Sequence, residues 1–157
     1  MFLLPPDLAT ATSYEDAATL PFAELHRPWG TTYMKLLSVS RVSNTVVNII
    51  RFKSGMQLPR HHHSGPVHAY TLEGAWKYKE YDWVARTGSY VNEAPGANHT
   101  LQIVEDSEIL FVNQGAFIYF DESGKIMSFS DALTITEDCR RALSAQRVPF
   151  PEQVIRD

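Results

Sequence analysis

From Thr31 to Phe129 the apolar positions fall in short runs rich in Val, Ile, Thr, Tyr and Phe, broken by turn residues. The breaks recur about every 8–12 positions, the spacing of short strands in a sandwich or barrel. Thr45-Val46-Val47-Asn48-Ile49-Ile50-Arg51-Phe52 is one such run, closed by Lys53-Ser54-Gly55. Ala69 to Leu72 is another, closed by Glu73-Gly74, and Glu108 to Val112 reads as a buried central strand. Asp121-Glu122-Ser123-Gly124 reads as a hairpin turn between Phe117-Ile118-Tyr119-Phe120 and Lys125-Ile126-Met127. Trp76 to Trp83 is less regular: Trp76 and Tyr78 share one parity, Tyr81 and Trp83 the other. A bulge near Lys79-Glu80, or a twist between two sheets, accounts for the switch.

The two ends follow other rules. Residues 1 to 25 read as an irregular arm containing Pro5, Pro6 and Pro21, with one weak helical stretch near Glu15 to Thr19. At the other end the period changes to that of a helix, over about residues 135–147. Thr136 is its expected cap, Glu137 and Asp138 suit the positive end of its dipole, Arg140, Arg141 and Arg147 suit the negative end, and Pro149 and Pro151 stop it. Its expected role is packing or oligomer contact.

A chain of 157 residues fits one domain with a substantial core, and 44% hydrophobic with 20% charged residues is ordinary globular composition. A net charge of −4 implies no basic face, so nucleic acid is not an expected partner. No run of about 18 apolar residues predicts a membrane span. The opening Met1-Phe2-Leu3-Leu4-Pro5-Pro6 lacks the basic start of a secretory signal. Cys139 stands alone, so no internal disulfide forms, and the expected compartment is the reducing cytoplasm.

The chemistry lies in the histidines. His61 and His63 flank His62, and His99 follows 38 residues after His61, in Pro95-Gly96-Ala97-Asn98-His99. Side chains two apart on a strand share a face, so His61 and His63 can close on one metal ion while His62 points away. A third imidazole from a neighbouring strand completes a three-nitrogen set with open positions. Glu93 stands six residues before His99, either orienting a ligand histidine or removing a substrate proton, or else lying at the surface as a strand-end acid.

These residues resemble a known family. Gly55-x5-His61-x-His63-x4-His68-x5-Gly74 is similar to the first motif of the cupin superfamily, and Gly88-x6-Pro95-Gly96-x2-His99 to the second. The resemblance covers about residues 33–129 and implies an all-β double-stranded β-helix, a jelly-roll-like barrel, with the short helix following it. His61-His62-His63-Ser64-Gly65-Pro66 and the Phe117–Ile126 hairpin resemble acetylacetone-cleaving dioxygenase. The chain length and the stretches Gly65-Pro66-Val67 and Asp82-Trp83-Val84-Ala85 look more like the 2,4′-dihydroxyacetophenone dioxygenase group. Both groups use non-haem Fe(II) and dioxygen to break a C–C bond beside a carbonyl.

By that resemblance His61, His63 and His99 are the metal ligands, with zinc or nickel able to replace iron in a purified sample. Glu93 is the catalytic candidate, and His68, Tyr78 and Lys79 are the substrate-binding candidates. His68 departs from the motif, which usually has a glutamate there; it reads as a fourth ligand, a pocket donor or an ordinary polar residue. The expected substrate is a small ketone of hydroxyacetophenone or β-diketone type, chelated as an enolate, with O2 as co-substrate. The alternative is a non-redox metal-binding cupin, a zinc-type sensor or small-ligand binder. A homodimer or homotetramer is expected, because such barrels expose sheet edges.

Overall fold

The computed structural model describes residues 12–157. Among the described residues, eleven strands and one α-helix follow in order: β1 Ala23–Arg27, β2 Gly30–Ser40, β3 Thr45–Phe52, β4 His61–His63, β5 Val67–Tyr78, β6 Ala85–Arg86, β7 Tyr90–Glu93, β8 Asn98–His99, β9 Leu101–Gln114, β10 Phe117–Phe120, β11 Ile126–Ser130 and α1 Ala132–Ala145. They form two sheets. The larger runs β1-β2-β3-β9-β5-β6, with β7 also paired to β5; the smaller runs β11-β10-β4-β8. This is the jelly-roll arrangement the sequence led us to expect, and β3 begins and ends where its apolar run does.

β9 keeps one parity along its whole length: Leu101, Ile103, Ser107, Ile109, Phe111 and Asn113 are all buried. Its partner β5 does not. Val67, Ala69 and Thr71 face inward at odd positions, and Trp76 and Tyr78 at even ones. Register shifts between Thr71 and Trp76 make the change. Gly74 sits in them at φ +87°, where a Cβ would lie 2.1 Å from the Asp106 carbonyl oxygen, so only glycine lets β5 and β9 approach there. This bulge precedes Trp76, so it does not account for the parity difference between Trp76/Tyr78 and Tyr81/Trp83, and there is no bulge at Lys79-Glu80. β5 has ended by then, in a turn where Tyr81 N–H donates to the Tyr78 carbonyl at 3.2 Å.

The ends also differ from the sequence expectation. Glu15 to Thr19 contains a turn rather than helix, closed by Thr19 N–H to the Asp16 carbonyl at 3.0 Å. Pairing starts at Ala23, within the segment read as an arm; the arm's first eleven residues lie outside those described. The helix starts a turn before Thr136. Asp131 is its cap: the carboxylate accepts from Thr134 N–H at 2.8 Å and Thr134 Oγ1 accepts from Asp131 N–H at 2.8 Å. Thr136 is buried one turn inside, its hydroxyl donating to the Ala132 carbonyl at 2.6 Å. An i−4 bond of this kind satisfies a threonine within a helix as well as a cap would.

Two clusters make up the interior. One joins α1 (Ile135, Cys139, Leu143) to Leu25, Leu36, Val39 and Val46 of the first three strands. The other lies between the sheets and includes Phe52, Val67, Trp76, Tyr78, Ile109 and Phe111. The inward row of β3 connects them: Val46 belongs to the first, Phe52 to the second, and Asn48 stands between.

Candidate metal centre

β4 is only three residues long, yet both its edges are paired, with β10 on one side and β8 on the other. Strand alternation sends His61 and His63 inward, 4% and 3% exposed, and leaves His62 half-buried on the other face. The β4–β8 register sets His61 opposite His99. The Pro95-Gly96 turn is fastened to the same strand: Gly96 N–H donates to the His63 carbonyl at 2.8 Å, and His63 N–H to the Ala97 carbonyl at 2.9 Å. Gly96 has φ +90°, a conformation that disfavours a side chain.

The three histidines offer ligand atoms that all lie within 4.8 Å of one another. His61 Nδ1 donates to the Pro59 carbonyl at 2.9 Å. A carbonyl has no proton to give, so Nδ1 carries the hydrogen and Nε2 keeps its lone pair. His63 Nε2 and His99 Nε2 stand 3.0 Å apart. Burial pushes the His61 ring down to about 4 and the His63 ring down to about 2, so both are neutral near pH 7.

Glu93 reaches the same point from β7. It is 4% exposed, and its Oε2 lies 3.1 Å from His63 Nε2 and 3.2 Å from His99 Nε2. Among the described residues that oxygen has no partner in hydrogen-bonding geometry, nor do His63 Nδ1 and His99 Nδ1. The other oxygen, Oε1, accepts a hydrogen bond from the Tyr78 hydroxyl. Burial, with the Glu93 charge beside it, pushes the Tyr78 hydroxyl well above the usual tyrosine range, so it remains a donor. The Tyr78 ring also stacks on His99, centroids 3.5 Å apart and planes 10° from parallel. Electron-rich nitrogens and a carboxylate oxygen converging in a buried space suit a divalent cation: three imidazoles and one carboxylate are a donor set that zinc and iron accept.

Other sequence candidates are placed elsewhere. Val67, not His68, is the inward residue of β5 after the histidine run, and Val67 pairs directly with Glu93 on β7. A carboxylate thus stands beside that position on the neighbouring strand. His68 lies on the exposed face, its Nδ1 2.7 Å from the Tyr90 hydroxyl. Lys79 is exposed just past the end of β5, its backbone N–H donating to the Thr100 carbonyl at 3.0 Å. The expectation that these two meet a ligand beside the histidines is therefore corrected. Tyr78 remains at the site, in contact with both Glu93 and His99.

His61 and His63 form one wall of a cavity of about 150 Å³. Aromatic and aliphatic side chains dominate the remainder, among them Trp29, Phe52, Phe111 and Phe117. Tyr119 stacks on Trp29 at 5.1 Å and sits 5.4 Å from the His61 ring. The sequence reading did not identify this wall, because it depends on β10 pairing with β4, and neither strand records its neighbour. Asn48 also lines the cavity, and its signal was legible: one polar residue in the otherwise apolar row Val46, Ile50 and Phe52.

Known proteins share this fold. An RmlC-like cupin protein from Ralstonia eutropha JMP134 is 27% identical, with a TM-score of 0.83, over 93% of this chain and 96% of that one. A second cupin-like protein of the same organism, of unknown function, is 24% identical with a TM-score of 0.78, again over 93% and 96%. An acetylacetone dioxygenase from Acinetobacter johnsonii is 18% identical with a TM-score of 0.77, over 85% of this chain and 94% of that one. At these last two identities the likeness is one of fold. A search of the curated proteins found no match. Residues 10–118, carrying all three buried histidines, match the family described as the ChrR cupin-like domain, and the chain belongs to that family.

Proposed function

We propose that the protein is a non-haem Fe(II) dioxygenase that cleaves the C–C bond beside the carbonyl of a small ketone. One observation carries this reading: three buried histidines and Glu93 converge, and two of them, His61 and His63, open onto an apolar cavity large enough for one ring-sized molecule. His61, His63 and His99 would hold the iron, with Glu93 Oε2 beside it. Bound there, iron would supply Lewis acidity toward the ketone oxygens and reactivity toward O2. The chain's own residues do the rest. The aromatic wall excludes water and confines the ketone next to the histidines. Tyr78 holds one oxygen of Glu93 and leaves the other free to take a proton from the carbon beside the carbonyl.

A second reading has its own observation. If Glu93 Oε2 is itself a ligand, the site is a four-donor N3O set of the kind that holds zinc without redox chemistry. The protein would then be a metal-binding sensor or small-ligand binder. Metal analysis of anaerobically purified protein, followed by oxygen uptake with β-diketones and hydroxyacetophenones, separates the two. The dioxygenase reading expects iron and one O2 consumed per ketone. Stoichiometric zinc, with no uptake after iron reconstitution, establishes the other. Glu93→Gln sharpens the result: as a base its loss slows turnover by about 10²–10⁴-fold with metal retained, whereas as a ligand its loss lowers metal affinity.

The homo-oligomer remains part of this proposal. β11 is an edge strand that leaves Ile126, Met127 and Phe129 exposed, and such an edge suits pairing with a second copy. Light scattering at micromolar concentration tests it; a monomer would count against it.

A further inference from the structure

Val46, Asn48, Ile50 and Phe52 form the inward row of β3. Asn48, Ile50 and Phe52 line the same cavity as His61 and His63. Asn48 is 1% exposed. Its Nδ2 rests 3.5 Å from the Met34 sulfur, a weak acceptor, and its Oδ1 has no hydrogen-bond partner among the described residues. An unmade hydrogen bond on a buried amide oxygen is destabilising, and a valine or leucine in that row would avoid it. The cavity's size bears on what fits: about 150 Å³ is the volume that accepts a single benzene-like ring in an apolar protein interior.

We propose that Asn48 is a specificity residue that accepts a hydrogen bond from a hydroxyl on a ring-sized ligand whose carbonyl end faces the histidines. The inference rests on reading this cavity as the substrate site, and it narrows the substrate class: a monocyclic hydroxylated aromatic ketone is favoured over an acyclic β-diketone, whose two oxygens are both engaged at the carbonyl end. A pocket built to pair a hydroxyl discriminates against the analogue lacking it, because the protein's own polar atom is then left unpaired.

The test is a binding measurement that needs no turnover. Acetophenone, 3-hydroxyacetophenone and 4-hydroxyacetophenone are titrated into zinc-loaded protein, followed by calorimetry or by the fluorescence of Trp29 in the cavity wall. At least one hydroxylated isomer is expected to bind about 10- to 100-fold more tightly than acetophenone. In Asn48→Leu, which keeps the volume and removes the amide, that preference should fall to within about twofold while acetophenone binding holds or improves. Equal binding of all three ketones by the unaltered protein overturns the inference, and this result requires no variant to fold. A preference that survives in Asn48→Leu overturns it too. Oxygen uptake keeps the two proposals apart. A hydroxyl preference without uptake overturns only the dioxygenase reading; uptake without the preference overturns only the role of Asn48.

Discussion

The two interior clusters are built from similar strands and differ in what they tolerate. Beneath α1 the packing is mostly apolar, with the one buried hydroxyl of the helix, Thr136, satisfied within it: Ile135, Cys139 and Leu143 meet Leu25, Leu36 and Val39, and burial pushes the Cys139 thiol up to about 12, leaving it inert. Between the sheets, apolar walls surround His61, His63, His99 and Glu93, several of whose polar atoms have no partner among the described residues. Burying such groups costs stability, whereas packed Leu and Ile supply it. Both clusters therefore supply apolar packing, but only the barrel side also carries the cost of a buried polar site. The same chain of inward positions along β3 serves both, changing at Asn48.

The sharpest way to break the comparison is to remove one residue from each half. His61→Ala, His63→Ala or His99→Ala should each abolish most metal binding, whereas His62→Ala should retain it; metal content per chain decides this. If the His62 variant lost metal and the His61 variant kept it, the reading of the strand faces would be wrong. Leu143→Ala, in the helix-side cluster, should leave metal content intact while lowering unfolding stability by about 2–5 kcal/mol in denaturant titration.

Acid should act on the barrel half first. An unfolded chain takes up protons on its histidines below about pH 6.5, whereas buried His61 resists until about pH 4. A depressed folded-state value means stability is fully present above 6.5 and declines as pH falls through that window. His61 alone accounts for about 3 kcal/mol of this loss. Urea titrations of metal-free protein at pH 7.5 and 4.5 should show the decline, and His61→Ala should reduce it; equal midpoints at both pH values would refute the account. The smallest effect belongs to the helix cap: Asp131→Ala should cost about 1 kcal/mol, seen as a small drop in melting temperature with the metal site untouched.

Legibility followed the same division. β3 and the hairpin between β10 and β11 could be read directly, because alternation and turn chemistry are local properties. So could the pairing of His61 with His63, a matter of strand parity within three residues. The helix start was misplaced because Asp131 and Thr136 are both plausible caps, and only the position of the apolar face against the first strands selects Asp131. Three readings stayed open for His68 because its direction depends on how the chain re-enters a sheet after Ser64-Gly65-Pro66, which no local pattern records. Glu93 was identified by its distance along the chain from His99, but its pairing with Val67 is a matter of register.

By itself, the amino-acid order determined the fold class, the inward pair of histidines and the turn residues that deliver His99, because each depends on strand period and backbone sterics over a few positions. Tertiary structure alone decided that the carboxylate arrives from β7, that Tyr78 holds it while stacking on His99, and that β10 completes a ring-sized cavity beside the site. Those outcomes come from which strands become neighbours and in what register, and the energy that selects them is spread over both packed clusters rather than written in any one segment.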